Sequence, residues 1–301
     1  MRKLLLVAVG WLAILGVARA EEEFPRDLVK WSPGPVATVF AGQGGDAWDR
    51  KIRERGWILR DETGTYHLWY TGYNDDKSKT RSLGHATSPD GLAWTRDPAN
   101  PLHTSSWVED VCVVKVDGVY WMFAEGERDI AHLLTSTDGK LWTDLGPLDI
   151  RKVDGTPIPP GPRGTPTVWV ENGVWSLFYE RGDRGVWLAQ STDRKVWTNV
   201  CDDPVVAMGA DYDKTAIAFD QIIKRDNVYY AIYHANKNTP WKDWSTCIAR
   251  SRDLIHWEKY AGNPIVGDNC SSGMLVPTDR GMRLYTMHPE VRRFEPGKEP
   301  K

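Results

Sequence analysis

The chain has 301 residues and a mass of 34.1 kDa, long enough for one large domain or two small ones. With 41% hydrophobic and 26% charged residues it is neither a disordered nor a fibrous chain, and a formal charge of −3 with a pI of about 6.2 argues against a strongly basic nucleic-acid binder. The outlying numbers are 16 Trp, 27 Gly and 19 Pro, and many aromatics with many turns point to an all-β protein.

In chain order, the first element is an export signal. Arg2 and Lys3 form a positive start, Leu4 to Gly16 is an apolar run, and Ala18-Arg19-Ala20 is a small-residue cleavage site before Glu21. Cleavage after Ala20 is expected to leave residues 21–301 as the mature domain, secreted or periplasmic, with the formal charge moving from −3 to −6 as Arg2, Lys3 and Arg19 are lost. The apolar run is too short for a membrane span, and no later stretch is long enough to supply one.

A pattern S-x-D-x-x-x-W then returns four times: Ser88-x-Asp90 to Trp94, Ser136-x-Asp138 to Trp142, Ser191-x-Asp193 to Trp197, and Ser251-x-Asp253 to Trp257. Each copy follows a short apolar strand, and the Asp suits a tight turn that leads into the next strand at Trp. An aromatic strand precedes each turn: TYHLWYTG from Thr65, VYWMFAEG from Val119, VWSLFYERG from Val174 and VYYAIYHA from Val228. A fifth copy, MRLYTMHPE from Met282, has no such turn after it. Four strands per repeat at this spacing make a propeller blade, so the sequence predicts a single five-bladed β-propeller, with Lys30 to Phe40 supplying the outer strands of the last blade.

Hairpin geometry then sorts the residues. The start of the first strand and the end of the second lie at one end of each blade, and the S-x-D turns lie at the other. The second strands end at Thr71, Glu125, Glu180, His234 and His288. Fifteen residues before each come Gly56, Asp110, Thr165, Phe219 and Gly273, with Asp220 next to Phe219. Asp110, Glu125, Glu180, Asp220, His234 and His288 are thus expected around one mouth of the central channel, as acid–base or substrate-binding groups. The loops to the third strand are longest in blades 1 and 4, and the blade 4 loop carries Trp241 and Trp244. Trp48 and Trp107 fall near first-strand starts. Flat aromatics beside a polar pocket suit sugar rings, which makes Trp48, Trp107 and Trp241 candidate substrate contacts.

Four cysteines remain: Cys112, Cys201, Cys247 and Cys270. None has C-x-x-C spacing, so a structural zinc site is disfavoured. Cys112 sits in an apolar run and reads as a buried thiol, Cys247–Cys270 is the first pairing to test, and Asn269-Cys270-Ser271 fits a glycosylation sequon. There is no phosphate-binding P-loop, no G-x-S-x-G elbow and no H-E-x-x-H helix. Arg50, Arg53 and Arg55 before the first blade could instead hold a phosphate.

The repeat, the aromatic second strands and Trp48-Asp49 resemble the five-bladed propeller glycoside hydrolases of families 43, 32 and 117. The stretch from Tyr212 to Val291, with YDKTAIAFDQ, YYAIYH, ARSRDLIHW and RLYTMHPEV, is most similar to family 117. The resemblance implies a secreted glycosidase acting by inversion on a plant- or alga-type carbohydrate, with Asp49 as general base and Asp110 as pKa modulator. Where those families place an acid in blade 3 this chain has Gly164-Thr165-Pro166. Glu180 is the substitute proton donor, with Glu125 and His234 as rivals. No cofactor or metal is required, and the polar channel could hold a structural cation. Two alternatives stay open: a carbohydrate-binding propeller without catalysis, suggested by Thr165, and a phosphorolytic enzyme, suggested by the three arginines.

Overall fold

The computed structural model describes residues 23–238 and 242–297. The expected signal peptide and Trp241 lie outside them. A one-turn helix α1 (Arg26–Val29) leads into β1 (Trp31–Phe40). Blade 1 contains β2 (Lys51–Arg60), β3 (Tyr66–Tyr73), β4 (Ser82–Ser88) and β5 (Thr95–Arg96). Blade 2 contains β6 (Glu109–Val116), β7 (Val119–Gly126), β8 (Ile130–Ser136) and β9 (Thr143–Pro147). After β10 (Asp149–Arg151), blade 3 contains β11 (Gly164–Glu171), β12 (Val174–Glu180), β13 (Gly185–Ser191) and β14 (Val196–Asn199), followed by β15 (Val206–Ala207). Blade 4 contains β16 (Ala216–Arg225), β17 (Val228–Asn238), β18 (Lys242–Ser251) and β19 (Trp257–Lys259). Blade 5 contains β20 (Met274–Thr278), β21 (Gly281–Thr286) and β22 (Val291–Pro296).

The innermost strands β2, β6, β11, β16 and β20 touch in that order, and β20 returns to β2. The ring is a five-bladed β-propeller. It closes as β1 pairs antiparallel with β22, from Trp31 opposite Pro296 to Phe40 opposite Val291. The N-terminal strand therefore supplies only the outermost strand of blade 5; the third is β22, which the sequence pattern missed because no S-x-D turn follows it. Blade 3 also departs from four strands, adding β10 parallel to β14 and β15 against β13.

Both faces of a blade are covered by neighbours, so the inner strands are buried along their whole apolar runs rather than on alternate residues. Leu68 to Thr71 are all buried, as are Val111 to Val113. The repeated Trp staples one blade to the next. Trp142 meets Trp69 edge-on at 6.3 Å, Trp197 meets Phe123 at 5.6 Å, and Trp257 meets Phe178 at 5.9 Å. Trp69, Phe123 and Phe178 hold the same place in their second strands, so three of the five blade junctions are closed by the same contact. Such pairs contribute about 0.5–1.5 kcal/mol beyond the area they bury.

The S-x-D turns are hydrogen-bonded alike in every copy. The Ser136 Oγ accepts the Gly139 N–H at 2.9 Å, and Asp138 Oδ1 accepts the N–H groups of Lys140 and Leu141 at 2.8 Å. Ser88, Ser191 and Ser251 repeat the first bond at 2.9 Å. These motifs are architecture.

All four cysteines are free thiols. Cys247–Cys270 is not formed: Cys247 lies in the core between blades 3 and 4 beside Ser245, whereas the Cys270 thiol packs against Arg292 Nη1 at 3.3 Å in a different cluster. Cys112 is fully buried, and burial raises its thiol to about 11.

Candidate functional site

The first strands do not run straight into the channel. Each of the first four blades has a bulge in its innermost strand, toward the upper end in blades 1 to 3 and within the strand in blade 4. In blade 2 Glu109 pairs with Glu125 and Cys112 with Phe123, so Asp110 and Val111 face Ala124 alone. Blade 3 bulges likewise at Thr165-Pro166. In blade 1 Arg53 pairs with Thr71 and Trp57 with Trp69, so the bulge is one residue wider. The bulge residues adopt left-handed backbone angles: φ is 55° at Glu54, 46° at Asp110 and 44° at Thr165. Glu54 is therefore blade 1's counterpart of Asp110 and Thr165. A constant offset along the sequence lands on Gly56 instead, because the wider bulge and the longer hairpin of blade 1 each add a residue to the count.

These bulges and the second-strand ends surround a cavity of about 650 Å³ at one mouth of the propeller. Asp110, Glu125, Glu180, His234 and His288 line it, as hairpin geometry requires. Asp220 stands just behind: its Oδ1 lies 2.8 Å from His234 Nδ1, and its Oδ2 accepts the Gly273 N–H at 3.0 Å. Sequence reasoning missed Glu54, Asp129 and Asp183 as acids of the cavity, and it missed Lys51 and Tyr73; Arg53, named there as a phosphate candidate, lines the cavity too. A signal for two of them was present: each of the two short loops after a second-strand Glu carries an Asp, Asp129 after Glu125 and Asp183 after Glu180.

Asp49 is placed elsewhere. Its carboxylate has no exposed surface and accepts from Gln43 Nε2 at 2.6 Å, Tyr70 Oη at 3.0 Å and Arg96 Nε at 2.8 Å. Trp48 stacks on Tyr70 at 5.9 Å, and both residues brace blade 1 rather than line the cavity. Their loop precedes β2, five residues short of the bulge that turns a side chain inward. Trp107 lines a neighbouring cavity. Of the blade 4 loop, Trp244 lines the central cavity and meets His234 edge-on at 5.3 Å.

The three arginines do not form an anion site. Arg50 pairs with the exposed Asp76. Arg53 Nε lies 2.5 Å from Glu54 and 2.9 Å from Glu109. Arg55 is completely buried and reaches across the propeller axis. Its guanidinium donates to the carbonyls of Val111 (3.2 Å), Pro166 (2.7 Å), Phe219 (2.9 Å) and Asp220 (3.1 Å), to the Asp110 carbonyl, and to Thr167 Oγ1 at 2.5 Å. A positive charge thus sits in the channel, and it belongs to the chain itself.

The carboxyls fall into two electrostatic groups. Glu54 is an anion: burial pushes its pKa up, but the hydrogen-bonding and charge of His288 and Arg53 outweigh it and hold the value near 2. His288 Nδ1 stands 3.5 Å from Glu54 Oε2. Asp110, Glu125, Glu180 and Asp183 are pushed upward, chiefly by burial. Asp110 rises to about 6, with the Glu54 charge adding to burial. Glu180 rises to about 7, with Asp183 adding, although it accepts the N–H groups of Gly164 (2.9 Å) and Asp183. Glu125 rises well above the ordinary value through burial and the charges of Asp110, Asp129 and Glu180. Glu125 and Glu180 converge on Gly164, where a Cβ would meet Glu125 Oε2 at 2.2 Å and Glu180 Oε1 at 2.6 Å. This glycine leaves room for the carboxyl pair. Glu125 Oε2 accepts the Thr165 N–H at 2.8 Å. Burial works to lower His234, but the adjoining Asp220, then Asp110 and Asp183, raise it to about 9, so at neutral pH it is an imidazolium.

No protein-family model and no curated protein sequence matches the chain. Solved structures do match its fold. A glycosyl hydrolase from Bacteroides ovatus superposes with a TM-score of 0.70 over 92% of this chain and 98% of that one, at 17% identity. A structure from work on the family 130 mannoside phosphorylases, which contain hydrolases targeting β-1,2-mannosidic linkages in Candida mannan, gives 0.64 over 90% and 98%, at 17% identity. A family 117 glycoside hydrolase from Zobellia galactanivorans gives 0.59 over 89% and 90%, at 14% identity. At these identities the likeness establishes the five-bladed fold.

Proposed function

We propose that the protein is an exported glycoside hydrolase that cleaves a poly- or oligosaccharide by inversion, with Glu54 as base and Glu125 as proton donor. The observation that carries this reading is one cavity holding an ionised carboxylate and carboxyls driven toward the protonated form. Glycosidic cleavage needs that division: an acid protonates the leaving oxygen while a carboxylate on the opposite side activates water. The glycosidases that share the fold support the same class of reaction.

In this mechanism Glu54 stays ionised because Arg53 and His288 hold its charge. Glu125 carries the proton. One of its oxygens accepts from Thr165, while Oε1 makes no hydrogen bond among the described residues, which leaves it to face the substrate. Burial, and then the charges of Asp110, Asp129 and Glu180, keep the Glu125 pKa high, and the share of Asp110 is the part the sequence resemblance gave it. Glu180 fits the donor's part less well, since its two oxygens are both engaged by backbone N–H groups. Trp244 beside His234 offers a flat face for a sugar ring. Inverting enzymes separate the two carboxyls by about 6.5–9.5 Å to admit water.

A panel of plant and algal glycans, assayed for new reducing ends with and without phosphate, tests the reading. Hydrolysis independent of phosphate, with proton NMR of the fresh product showing the opposite anomer, is expected. Thr165, which occupies the place of an acid in blade 3, supports a second reading as a carbohydrate-binding propeller. Tight glycan binding with no cleavage across the panel would favour it.

A further inference from the structure

A second cavity of about 660 Å³ opens beside the first and is as large. The short loop after β7 divides them: Glu125 and Asp129 line the central cavity, whereas Gly126, Arg128 and Ile130 line the neighbour. We propose that this neighbouring cavity is a subsite for an anionic sugar residue, one bearing a carboxylate or a sulfate, next to the ring held at the central cavity. The proposal rests on the glycan reading of the central cavity and extends it to a substrate class.

Three features carry it. Trp107 lines the cavity with an aromatic ring whose position is fixed at both ends. Its Nε1 donates to Glu109, and Arg81 stacks over it at 4.9 Å from the ring centre. Lys79 and Arg128 border the same cavity as exposed cations, and neither side chain makes an ion pair among the described residues. His132 is 5% exposed at the cavity wall. Its Nδ1 lies 3.2 Å from both oxygens of Asp144 and ties that acid to the ring.

The charges favour an anion here and oppose one next door. Asp144, also in the wall, is already engaged by His132, by the Ser106 hydroxyl at 2.7 Å and by the Gly146 N–H at 2.8 Å. Glu127 is the other acid of the wall and is exposed. The central cavity instead gathers Glu54, Asp110, Glu125, Asp129, Glu180 and Asp183, and of its basic groups Arg53 is spent on Glu54 and Glu109 and His234 on Asp220, which leaves Lys51. A neutral ring in the acid-rich cavity and an anionic ring beside the two cations is the arrangement that avoids like-charge contact.

The test is calorimetric titration of the Glu54→Gln protein with three oligosaccharides of equal length: one containing uronate residues, its carboxyl-reduced neutral counterpart, and one carrying sulfate esters. The anionic probes should bind at least about fivefold tighter than the neutral one, and whichever anion is preferred identifies the source of the charge. K79Q/R128Q should abolish that preference without weakening the neutral probe. Trp107→Ala should weaken all three about tenfold, and Trp107→Phe should restore most of the loss. Equal binding of neutral and anionic probes, or a preference that survives K79Q/R128Q, overturns the subsite. Its fate is separable from that of the hydrolase: a preference for an anionic glycan that depends on Lys79 and Arg128, in a glycan that wild-type protein never cleaves, keeps the subsite and removes the catalysis.

Discussion

The two ends of the propeller both place residues in left-handed backbone, and they fill those places differently. At the S-x-D end the positions are Gly91 (φ 73°), Gly139 (φ 75°), Arg194 (φ 63°) and Leu254 (φ 67°). Two are glycine, for which the conformation is free. The other two have packing to do, Arg194 over Trp121 at 4.4 Å and Leu254 in the core. At the cavity end, apart from the loops after the second strands where Gly182 also takes this conformation, the positions at the starts of the first strands are Glu54, Asp110, Thr165 and, in blade 5, Ser272 at 56°. None is glycine, although each bears strain of roughly 1–3 kcal/mol that glycine would relieve. Glu54, Asp110 and Thr165 line the cavity. One end of the fold uses the conformation to turn the chain, and the other to present a side chain.

The comparison breaks most sharply at the carboxyls. Glu54→Gln and Glu125→Gln should each lower turnover on a cleaved glycan by roughly 10²–10⁴-fold, with folding intact. Asp49→Asn should act in the opposite way. It removes the charge from a buried ion pair with Arg96, so a loss of about 3 kcal/mol in denaturant unfolding is expected, with turnover of the folded protein changed by less than about tenfold. A full catalytic loss in an Asp49→Asn protein of normal stability would return the base to Asp49.

Next in size is the axis. Arg55→Met removes the donor shared by carbonyls of blades 2, 3 and 4 and should cost at least about 3 kcal/mol in chemical denaturation. Because the Arg55 guanidinium also bonds the carbonyl of Asp110, the variant should disturb the cavity end more than the S-x-D turns. Hydrogen exchange that is faster at the turns than at the bulges would contradict this.

Stability should also depend on pH in a definite sense. Asp110, Glu125 and Glu180 have folded pKa values above their ordinary ones, so the folded state holds their protons more tightly. Their contribution is complete below about pH 4 and is lost as pH rises through the folded values, about 6 and 7 for Asp110 and Glu180. His234, raised to about 9, adds a loss in the same direction at higher pH. Glu54 has the opposite sign, but its contribution disappears only as pH falls toward 2. Melting temperature should therefore decline from about pH 5 to about pH 8. Glu125→Gln, whose carbonyl still accepts from Thr165, should flatten the decline; parallel curves for the two proteins would reject the buried-acid assignment.

The contrast between the ends also explains what was legible in the sequence. The S-x-D turns repeat because the same two side chains make the same bonds in each copy, so blade number and the placing of Glu125, Glu180, His234 and His288 could be read directly. Glu54 could not. Its place depends on a bulge one residue wider than that of blade 2, and bulges are set by tertiary packing at the channel. Asp49 looked suitable because it is an acid before the first strand, and only the partners around it, Tyr70 and Arg96, show that its charge is already spent.

The smallest effect belongs at the regular end. Ser136 is buried, and its Oγ accepts from the Gly139 N–H at 2.9 Å and bonds Asp138 Oδ1 at 2.9 Å. Ser136→Ala should cost about 1 kcal/mol, the usual worth of such a side-chain-to-backbone bond, and leave glycan turnover unchanged. The turn is also a blade junction, since the Gly139 carbonyl accepts the Trp69 Nε1–H of blade 1 at 2.8 Å. The loss should therefore be larger at Ser136 than at Ser191. There the matching left-handed residue is Arg194, whose guanidinium is held over Trp121 and over Trp175 at 5.0 Å and keeps the turn in place when the hydroxyl is removed. Equal losses at the two serines would mean that the turns act singly. A graded pair with unchanged turnover would confine their role to holding the blades together.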